Sequence, residues 1–397
     1  MKKKKWCKFR HKVVTFIFRP VFMVLFFFKF NLKYKREKLP KEGALILCNH
    51  TMAFDPFIVG CKFNKPLYYM TSKDLFQNKF VGKLMTYLLN PIPKEKSNKG
   101  DMSSIKNCLT IAKENGTICI FPEGNRTFNG KLGNVDYSIV KLVKLLKKPL
   151  IIVNIKGGYS SDPRWSNKRR RNRIECYTRL NLSYDDYKNL DNDALYNLII
   201  DNLTVDEYSL NVKFKGKKRA EYLESILYIC PVCKKMHVIT SVDNYVVCKE
   251  CGLKVYYNED LSLSSDDSNF NFKYIHEWYD YQVEFVKNME VTDEVIYSDE
   301  IEVYEPKTGE KRAFIGKGEM LLYKDYFKFK FLDKEMVLDY NDIYVVTLLG
   351  RMKMNIYYLD KVYQVFNNRH TNLLKYMHMF YILKNKKEGV EDGFIGI

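Results

Sequence analysis

A histidine and an aspartate five positions apart, in Asn49-His50-Thr51-Met52-Ala53-Phe54-Asp55, follow directly on the apolar run 44–48. A hydroxyl attacks a thioester usefully only when a base removes its proton, and imidazole titrates near neutral pH. A carboxylate on the other ring nitrogen supplies the tautomer and the orientation, so Asp55 is the natural partner of His50. On a regular helix residues five apart point in different directions, so the two side chains meet only if the segment is a turn entering a helix. Asp55-Pro56 reads as that entrance, with Asp at the N-cap and Pro at the first helical position. Taken alone, this pattern is equally a helix start with a structural aspartate.

A second apolar run, 117–121, delivers Pro122-Glu123-Gly124-Asn125-Arg126-Thr127. Gly124 permits a tight turn and close approach of a ligand to the backbone. The Arg126 guanidinium can grip phosphate oxygens through two parallel hydrogen bonds, while Glu123 can accept from a hydroxyl or hold Arg126. A surface turn with a solvated ion pair is the plain alternative. The two motifs together supply a base, its orienting acid and an acid/arginine pair suited to phosphate, the parts needed for acyl transfer to a phosphorylated alcohol.

Asn-His-x-x-x-x-Asp followed by Phe-Pro-Glu-Gly-x-Arg-Thr resembles the lysophosphatidate and glycerolipid acyltransferases. The resemblance extends to Asn90-Pro91-Ile92-Pro93-Lys94, where that family has an arginine that helps bind phosphate; Lys94 keeps the charge and loses the bidentate fork. A further strand, 149–155, stands where the family lines the acyl side of its cleft, and is apolar enough to be core alone. The resemblance implies a fatty acyl thioester of coenzyme A or acyl carrier protein as donor, a lysophospholipid acceptor, and chemistry without a catalytic metal or a covalent acyl-enzyme.

Elements must hold these residues in place. Between the motifs, residues 103–114 set Ile105, Cys108, Leu109 and Ala112 on one helical face, and Asn115-Gly116 ends the helix before the strand at 117. Strand, turn, helix, strand implies a largely parallel sheet with ligands beyond the carboxyl ends of its strands. His50, Glu123 and Arg126 all fall at such ends.

Charge is uneven along the 397 residues: of the formal net +19, thirteen Lys or Arg against Glu37 place +12 in the first forty. Within that stretch Val13–Phe28 is sixteen phenylalanine-rich residues interrupted by Arg19-Pro20, short of the ~20 a spanning helix needs. A monotopic anchor follows, phenylalanines in one leaflet and Lys2 to Lys5, Lys8, Arg10 and Lys12 on anionic headgroups. A secretory signal lacks its small-residue cleavage site here, and basic nucleic-acid arms seldom carry so many phenylalanines. The cluster Lys168 to Arg173 is a solvated basic loop.

Six of the ten cysteines are scattered among apolar residues as free thiols. Cys230-x-x-Cys233 and Cys248-x-x-Cys251, fourteen residues apart, supply four thiolates in a tetrahedral set, a structural zinc ribbon with no open coordination position. Redox chemistry is the alternative, but needs only one such pair and a strand-helix context absent here. Val238–Thr240 and Tyr245–Val247 are its hairpin strands, and reduced thiols point to a cytoplasmic location.

From about Val295 the pattern alternates with period two, most plainly in Tyr326–Phe331. Further strands are expected at 301–304, 319–323, 343–348, 354–359 and 362–366, closed by a helix over 372–383, an architecture resembling pleckstrin-homology or GRAM-like domains and equally a plain β-barrel-like accessory domain. The polar stretch 262–271 reads as a linker.

The sequence therefore reads as an α/β acyltransferase domain with a largely parallel sheet, then a small zinc ribbon and a β-rich C-terminal domain: a basic anchor over 1–40, the acyltransferase domain over 41–220, the ribbon over 225–260, a linker over 261–290 and the β-rich domain over 291–397. The expected site is His50 and Asp55 for catalysis, Glu123, Gly124, Arg126 and Lys94 for phosphate and glycerol, and Cys230, Cys233, Cys248 and Cys251 for zinc. Expected partners are membrane phospholipids, the lysophospholipid acceptor and an acyl carrier protein, on the cytoplasmic face, with no nucleic acid. The alternative function is a non-catalytic membrane adaptor or lipid sensor using the ribbon and the C-terminal domain.

Overall fold

A computed structural model describes residues 5–72, 79–94, 102–170, 173–210, 213–306, 312–367, 371–390, 393–394 and 396. Lys2 to Lys4, and Arg171 and Asn172 of the second basic cluster, lie outside the described residues. The chain divides into two compact units, residues 1–163 with 169–214, and residues 164–168 with 215–397.

The first unit is built on seven strands: β1 (Lys33–Tyr34), β2 (Leu45–Cys48), β3 (Leu67–Ser72), β4 (Ile92–Lys94), β5 (Thr117–Ile120), β6 (Leu150–Lys156) and β7 (Glu175–Leu182). Their order is β1-β7-β6-β2-β5-β3-β4. Every pairing is parallel except β6 with β7. The central strands β2 and β5 are buried throughout, which is why they read as unbroken apolar runs rather than alternating ones.

Side chains of successive strand residues feed two cores. Leu45, Leu47, Ile118, Ile120 and Ile152 pack with residues of α4 (Met102–Lys113), α5 (Ser138–Leu146) and α8 (Asn192–Leu203). Ile46, Cys48, Cys119, Ile151 and Val153 pack with α1 (Phe9–Phe30) and α2 (Asp55–Lys62). The remaining helices are α3 (Lys79–Leu88), α6 (Gly158–Ser161) and α7 (Tyr184–Tyr187). Residues 150–155, expected along the acyl side of the cleft, are fully buried between β2 and β7 and serve as core.

The basic N-terminal segment is not a separate tail. Its helix runs unbroken through Pro20 for 22 residues, about 33 Å at 1.5 Å per residue, long and apolar enough to cross a membrane. The Arg19-Pro20 interruption of the apolar run does not end the helix, and Arg19 turns inward, its Nη1 donating to Phe63 O at 2.9 Å. Packing ties α1 down along its length. Trp6 N and Cys7 N donate to the Glu114 carboxylate, His11 meets the Tyr68 hydroxyl at 3.2 Å, and Phe22 lies against Phe57 at 4.8 Å. Phe26 and Phe30 are fully buried.

The second unit contains the ribbon sheet, ordered β11-β10-β9-β8, from β8 (Ile239–Val242), β9 (Tyr245–Cys248), β10 (Lys254–Tyr257) and β11 (Leu263–Ser264). Seven antiparallel strands follow: β12 (Tyr297–Glu305), β13 (Ala313–Leu322), β14 (Tyr326–Phe331), β15 (Glu335–Asp339), β16 (Ile343–Leu349), β17 (Lys353–Tyr358) and β18 (Lys361–Phe366). Helix α10 (Leu374–Glu388) ends the set. Strand β15, absent from the sequence reading, is a short hairpin partner of β14 with a single fully buried side chain, Leu338.

The expected linker over 261–290 is a correction. It holds β11 and the helix α9 (Ile275–Lys287), whose Ile275, Trp278, Tyr279, Gln282 and Val286 recur at helical spacing and are buried. Gln282 donates to Ile226 O and accepts from Tyr228 N, and Trp278 Nε1 donates to Ile229 O. His378 of α10 sits between the hydroxyls of Tyr228 and Tyr279 at 2.9 and 2.8 Å. Burial pushes its imidazole down to about 3, keeping it neutral. Ribbon and β-rich region are therefore one unit rather than two domains.

Candidate active site

The turn after β2 is wound around one carboxylate. Asp55 is fully buried, and its Oδ2 accepts from His50 Nδ1 at 2.8 Å, Thr51 N at 2.6 Å and Met52 N at 2.9 Å. The N-cap of α2 is Phe54, so Asp55 is the first helical residue and Pro56 the second. The helix thus starts one place earlier than the sequence reading, and this directs the carboxylate back into the turn. Two backbone donors hold the oxygen that orients the ring. His50 itself keeps 20% of its side chain exposed, with its ring lying 4.5 Å from that of Phe121.

Glu123, at the end of the neighbouring strand β5, ties the second motif to the first. Its Oε1 accepts from His50 N at 2.5 Å and its Oε2 from Gly133 N at 2.8 Å. Thr127 N adds a bond to His50 O at 3.0 Å. Burial raises the Glu123 carboxyl to about 8 against these two N–H donors. Gly124 takes a positive φ of 70° with open space beside it, so glycine serves the turn's backbone conformation there. Arg126 lies half-buried on the same loop.

Lys94 ends the edge strand β4 and is exposed. Two strand spacings separate β4 from β5, about 10 Å at 4.7–4.9 Å each, so Lys94 and the loop carrying Arg126 stand apart across the sheet. Its charge contributes to lowering the Asp136 carboxyl, whose main cause is the Ser138 hydroxyl.

Four groups escaped the sequence reading. The Asn49 amide both donates to Ile155 O at 2.9 Å and accepts from Ile155 N at 2.8 Å, clamping the end of β2 to β6. A Cβ on Gly158 would stand 2.1 Å from Thr51 Oγ1, so only glycine admits Thr51 there. Glu207, almost fully buried, accepts from Gly157 N at 2.8 Å and braces that turn; burial raises it to about 7. The fourth is Phe121. Asn49 and Phe121 stand inside the quoted motifs and the Gly157-Gly158 pair marks a close approach, whereas nothing local marks Glu207.

In the second unit the Sγ atoms of Cys230, Cys233, Cys248 and Cys251 lie within 4.8 Å of one another. The pairs Cys230–Cys251 and Cys233–Cys248 stand 3.6 and 3.7 Å apart, close to the about 3.8 Å edge of a tetrahedron with 2.3 Å zinc–sulfur bonds. The four thiols fit a structural zinc. Of the six lone cysteines, Cys48, Cys61, Cys108, Cys119 and Cys176 are buried and Cys7 is half-buried, and burial raises the thiols of Cys48 and Cys119 well above their ordinary range.

Residues 31–156 match the Acyltransferase family model. Over 126 residues the chain is 35% identical to the 1-acyl-sn-glycerol-3-phosphate acyltransferase of Bacillus subtilis (strain 168), covering 31% of this chain and 61% of that protein. Over 127 residues it is 26% identical to a probable 1-acyl-sn-glycerol-3-phosphate acyltransferase of Mycoplasma pneumoniae, covering 30% of this chain and 47% of that protein. The chain thus spans about half to three-fifths of the length of these curated relatives. Among solved structures, the 1-acyl-sn-glycerophosphate (LPA) acyltransferase of Thermotoga maritima aligns with 49% of this chain and 78% of its own at 14% identity and a TM-score of 0.39. The N-terminal PH domain of human ARAP2 aligns with 27% of this chain and 92% of its own at 13% identity and a TM-score of 0.23. With both motifs meeting at the carboxyl ends of β2 and β5 inside the matched span, residues 31–156 form a domain of the Acyltransferase family.

Proposed function

We propose that this chain transfers a fatty acyl group from a thioester to the free hydroxyl of lysophosphatidate (1-acyl-sn-glycerol-3-phosphate), in phospholipid synthesis at a membrane. The observation that carries the reading is the hydrogen bond of His50 Nδ1 to a fully buried Asp55, which leaves Nε2 of a partly exposed ring for substrate. The family match and the names of the two curated relatives support it.

In this reading the acceptor hydroxyl gives its proton to His50 Nε2 as its oxygen attacks the thioester carbonyl carbon. The carbon–sulfur bond breaks, and the departing thiolate takes the proton back from the imidazolium. Asp55 fixes the tautomer and stabilises that imidazolium. Glu123 holds the two motif loops together, and Arg126 on its loop, with Lys94 reaching across the sheet, grips the acceptor's phosphate. The donor is an acyl thioester of coenzyme A or of acyl carrier protein.

Helix α1 attaches the enzyme as a monotopic element. Its inner face is tied to the domain from Trp6 to Phe30, while its outer face exposes Phe9, Phe16, Ile17, Val21, Val24 and Phe28. A helix bound lengthwise to its own domain fits the plane of the interface better than a crossing. The four ribbon cysteines would hold a zinc ion that supplies cross-linking and no reaction step, and thiolate ligation places the chain in a reducing compartment, on the cytoplasmic face.

Transfer of labelled acyl groups from both thioesters into lysophosphatidate and glycerol phosphate tests this, with His50→Ala as the comparison. A loss of roughly 10²–10⁴-fold is expected from removing a general base. Wild-type turnover by His50→Ala would exclude the mechanism. No transfer by the wild-type protein on vesicles would instead favour the adaptor reading.

A further inference from the structure

Exposed apolar residues of the first unit do not end with α1. Helix α3 presents Phe80, Leu84 and Tyr87 outward, Phe80 with 75% of its surface exposed. Their i, i+4, i+7 spacing makes one stripe. Neither α1 nor α3 contains an acidic residue, and Lys83 on α3 is exposed beside the stripe.

The two helices meet. Arg10 Nε donates to Tyr87 O at 2.8 Å, and its guanidinium lies 4.1 Å over the Tyr87 ring. Trp6 Nε1 donates to Asn90 O at 3.1 Å, and Asn90 Nδ2 returns a bond to Trp6 O at 3.3 Å. Trp and Tyr at such a junction, with Arg and Lys around them, have the chemistry of the headgroup layer, where amphipathic rings and long cationic side chains settle.

We propose that α3 is a second bilayer-immersed element, its Phe80 and Leu84 entering the acyl region of an anionic lipid surface beside α1 and its Tyr87 at the headgroup level. The occupant is a lipid bilayer because the patch combines a wide apolar face with borders that, among the described residues, are dominated by cations: Lys5, Lys8, Arg10, Lys12 and Lys83 at one end, Lys33, Lys35 and Arg36 at the other, while Glu114 and Glu37 there are engaged by Trp6 and Cys7 N–H groups and by Lys62. Basic residues near an anionic membrane strengthen such attachment. The inference rests on the membrane attachment proposed above and adds to it a defined seating: two contact points fix the rotation of α1 about its axis, and with it the direction in which the His50 turn faces.

Flotation of the full chain with vesicles of phosphatidylcholine alone, or with one-quarter phosphatidylglycerol, tests this without any substrate. The double variant Phe80→Ser/Leu84→Ser is expected to partition roughly a hundredfold less, about tenfold for each exposed side chain removed from the acyl region. Leu332→Ser, a fully exposed apolar site in the second unit, is expected to partition as wild type. In Phe80→Trp, brominated acyl chains are expected to quench the added fluorescence. Wild-type partition of the double variant, or an absence of quenching in vesicle-bound Phe80→Trp, overturns the inference. Phe16→Ser/Phe28→Ser separates the readings: if it weakens binding and the α3 pair does not, only the role of α3 fails; if neither does, membrane attachment itself fails.

Discussion

Asp55→Asn separates an electrostatic role for Asp55 from a purely architectural one. Oδ2 is the common acceptor for His50 Nδ1, Thr51 N and Met52 N, while Oδ1 faces Thr51 Oγ1 at 3.5 Å. The two backbone N–H groups select the amide oxygen for the Oδ2 position and leave the amide nitrogen to donate to the Thr51 hydroxyl. The turn and the His50 tautomer therefore survive, and only the negative charge is lost. A hydrogen bond to a charged group is worth about 1.5–3 kcal/mol against about 0.5–1.5 for a neutral one. With the charge felt mainly as the imidazolium forms, kcat should fall about 10- to 100-fold, or about 1.4–2.7 kcal/mol in the barrier. The KM for lysophosphatidate should be unchanged, since the carboxylate is fully buried behind the His50 ring. Asp55→Ala is the structural contrast: it strips three donors of their acceptor, at about 1–3 kcal/mol for each one left buried and unpaired, and should lower the melting temperature as well as the rate. Steady-state turnover on vesicles, with thermal melts of the same preparations, measures both. If Asp55→Asn melts with wild type and turns over within twofold of it, Asp55 is a brace only and the proposed stabilisation of the imidazolium is wrong.

Gly158→Ala should slow turnover and cost about 1–3 kcal/mol of stability, because the new Cβ meets Thr51 Oγ1 at 2.1 Å; Gly124→Ala, strained by its positive φ but unobstructed, should keep more activity in the same assay. Burial raises Glu207 to about 7, so its contribution to stability is present below its unfolded pKa and is lost as pH rises from there to about 7; the melting temperature of wild type relative to Glu207→Gln should fall between about pH 4.5 and 7 and level off above that. On the acid side burial lowers His11 to about 4 and His378 to about 3, so stability present above their unfolded pKa is lost as pH drops from about 6.5 toward those values, and melting temperatures that do not fall over that range would contradict the burial of the two neutral imidazoles. Metal analysis of the purified chain should return one zinc per molecule, and Cys230→Ser or a strong chelator should lower the melting transition of the second unit; an unchanged transition in metal-free protein would remove the structural role of the four cysteines.

Several features were legible before any tertiary structure because they depend on neighbours in sequence. Period-two alternation marks β14 to the residue, 326–331. Apolar runs mark β2 and β5, and the helix start at Asp55-Pro56 lies within one residue of its position. The same periodicity lies in α9, at Ile275, Trp278, Tyr279, Gln282 and Val286, but polar residues around 262–271 dominate a reading by composition.

Residue types and spacing by themselves determined the pairing of His50 with Asp55, because five positions across a turn are enough to join an imidazole to a carboxylate. They also determined the four thiols of the ribbon and the apolar character of α1. Only the tertiary structure decided what Glu123 does, since its donors are backbone N–H groups of His50 and Gly133, and a backbone donor leaves no mark on residue type. The same holds for Glu207, buried by distant chain against Gly157, and for the path of α1, where Glu114, Tyr68 and Phe63 bind it along the domain. Hydropathy reports how apolar a helix is; which face it spends on its own domain and which it leaves for lipid depends on what the rest of the chain brings beside it.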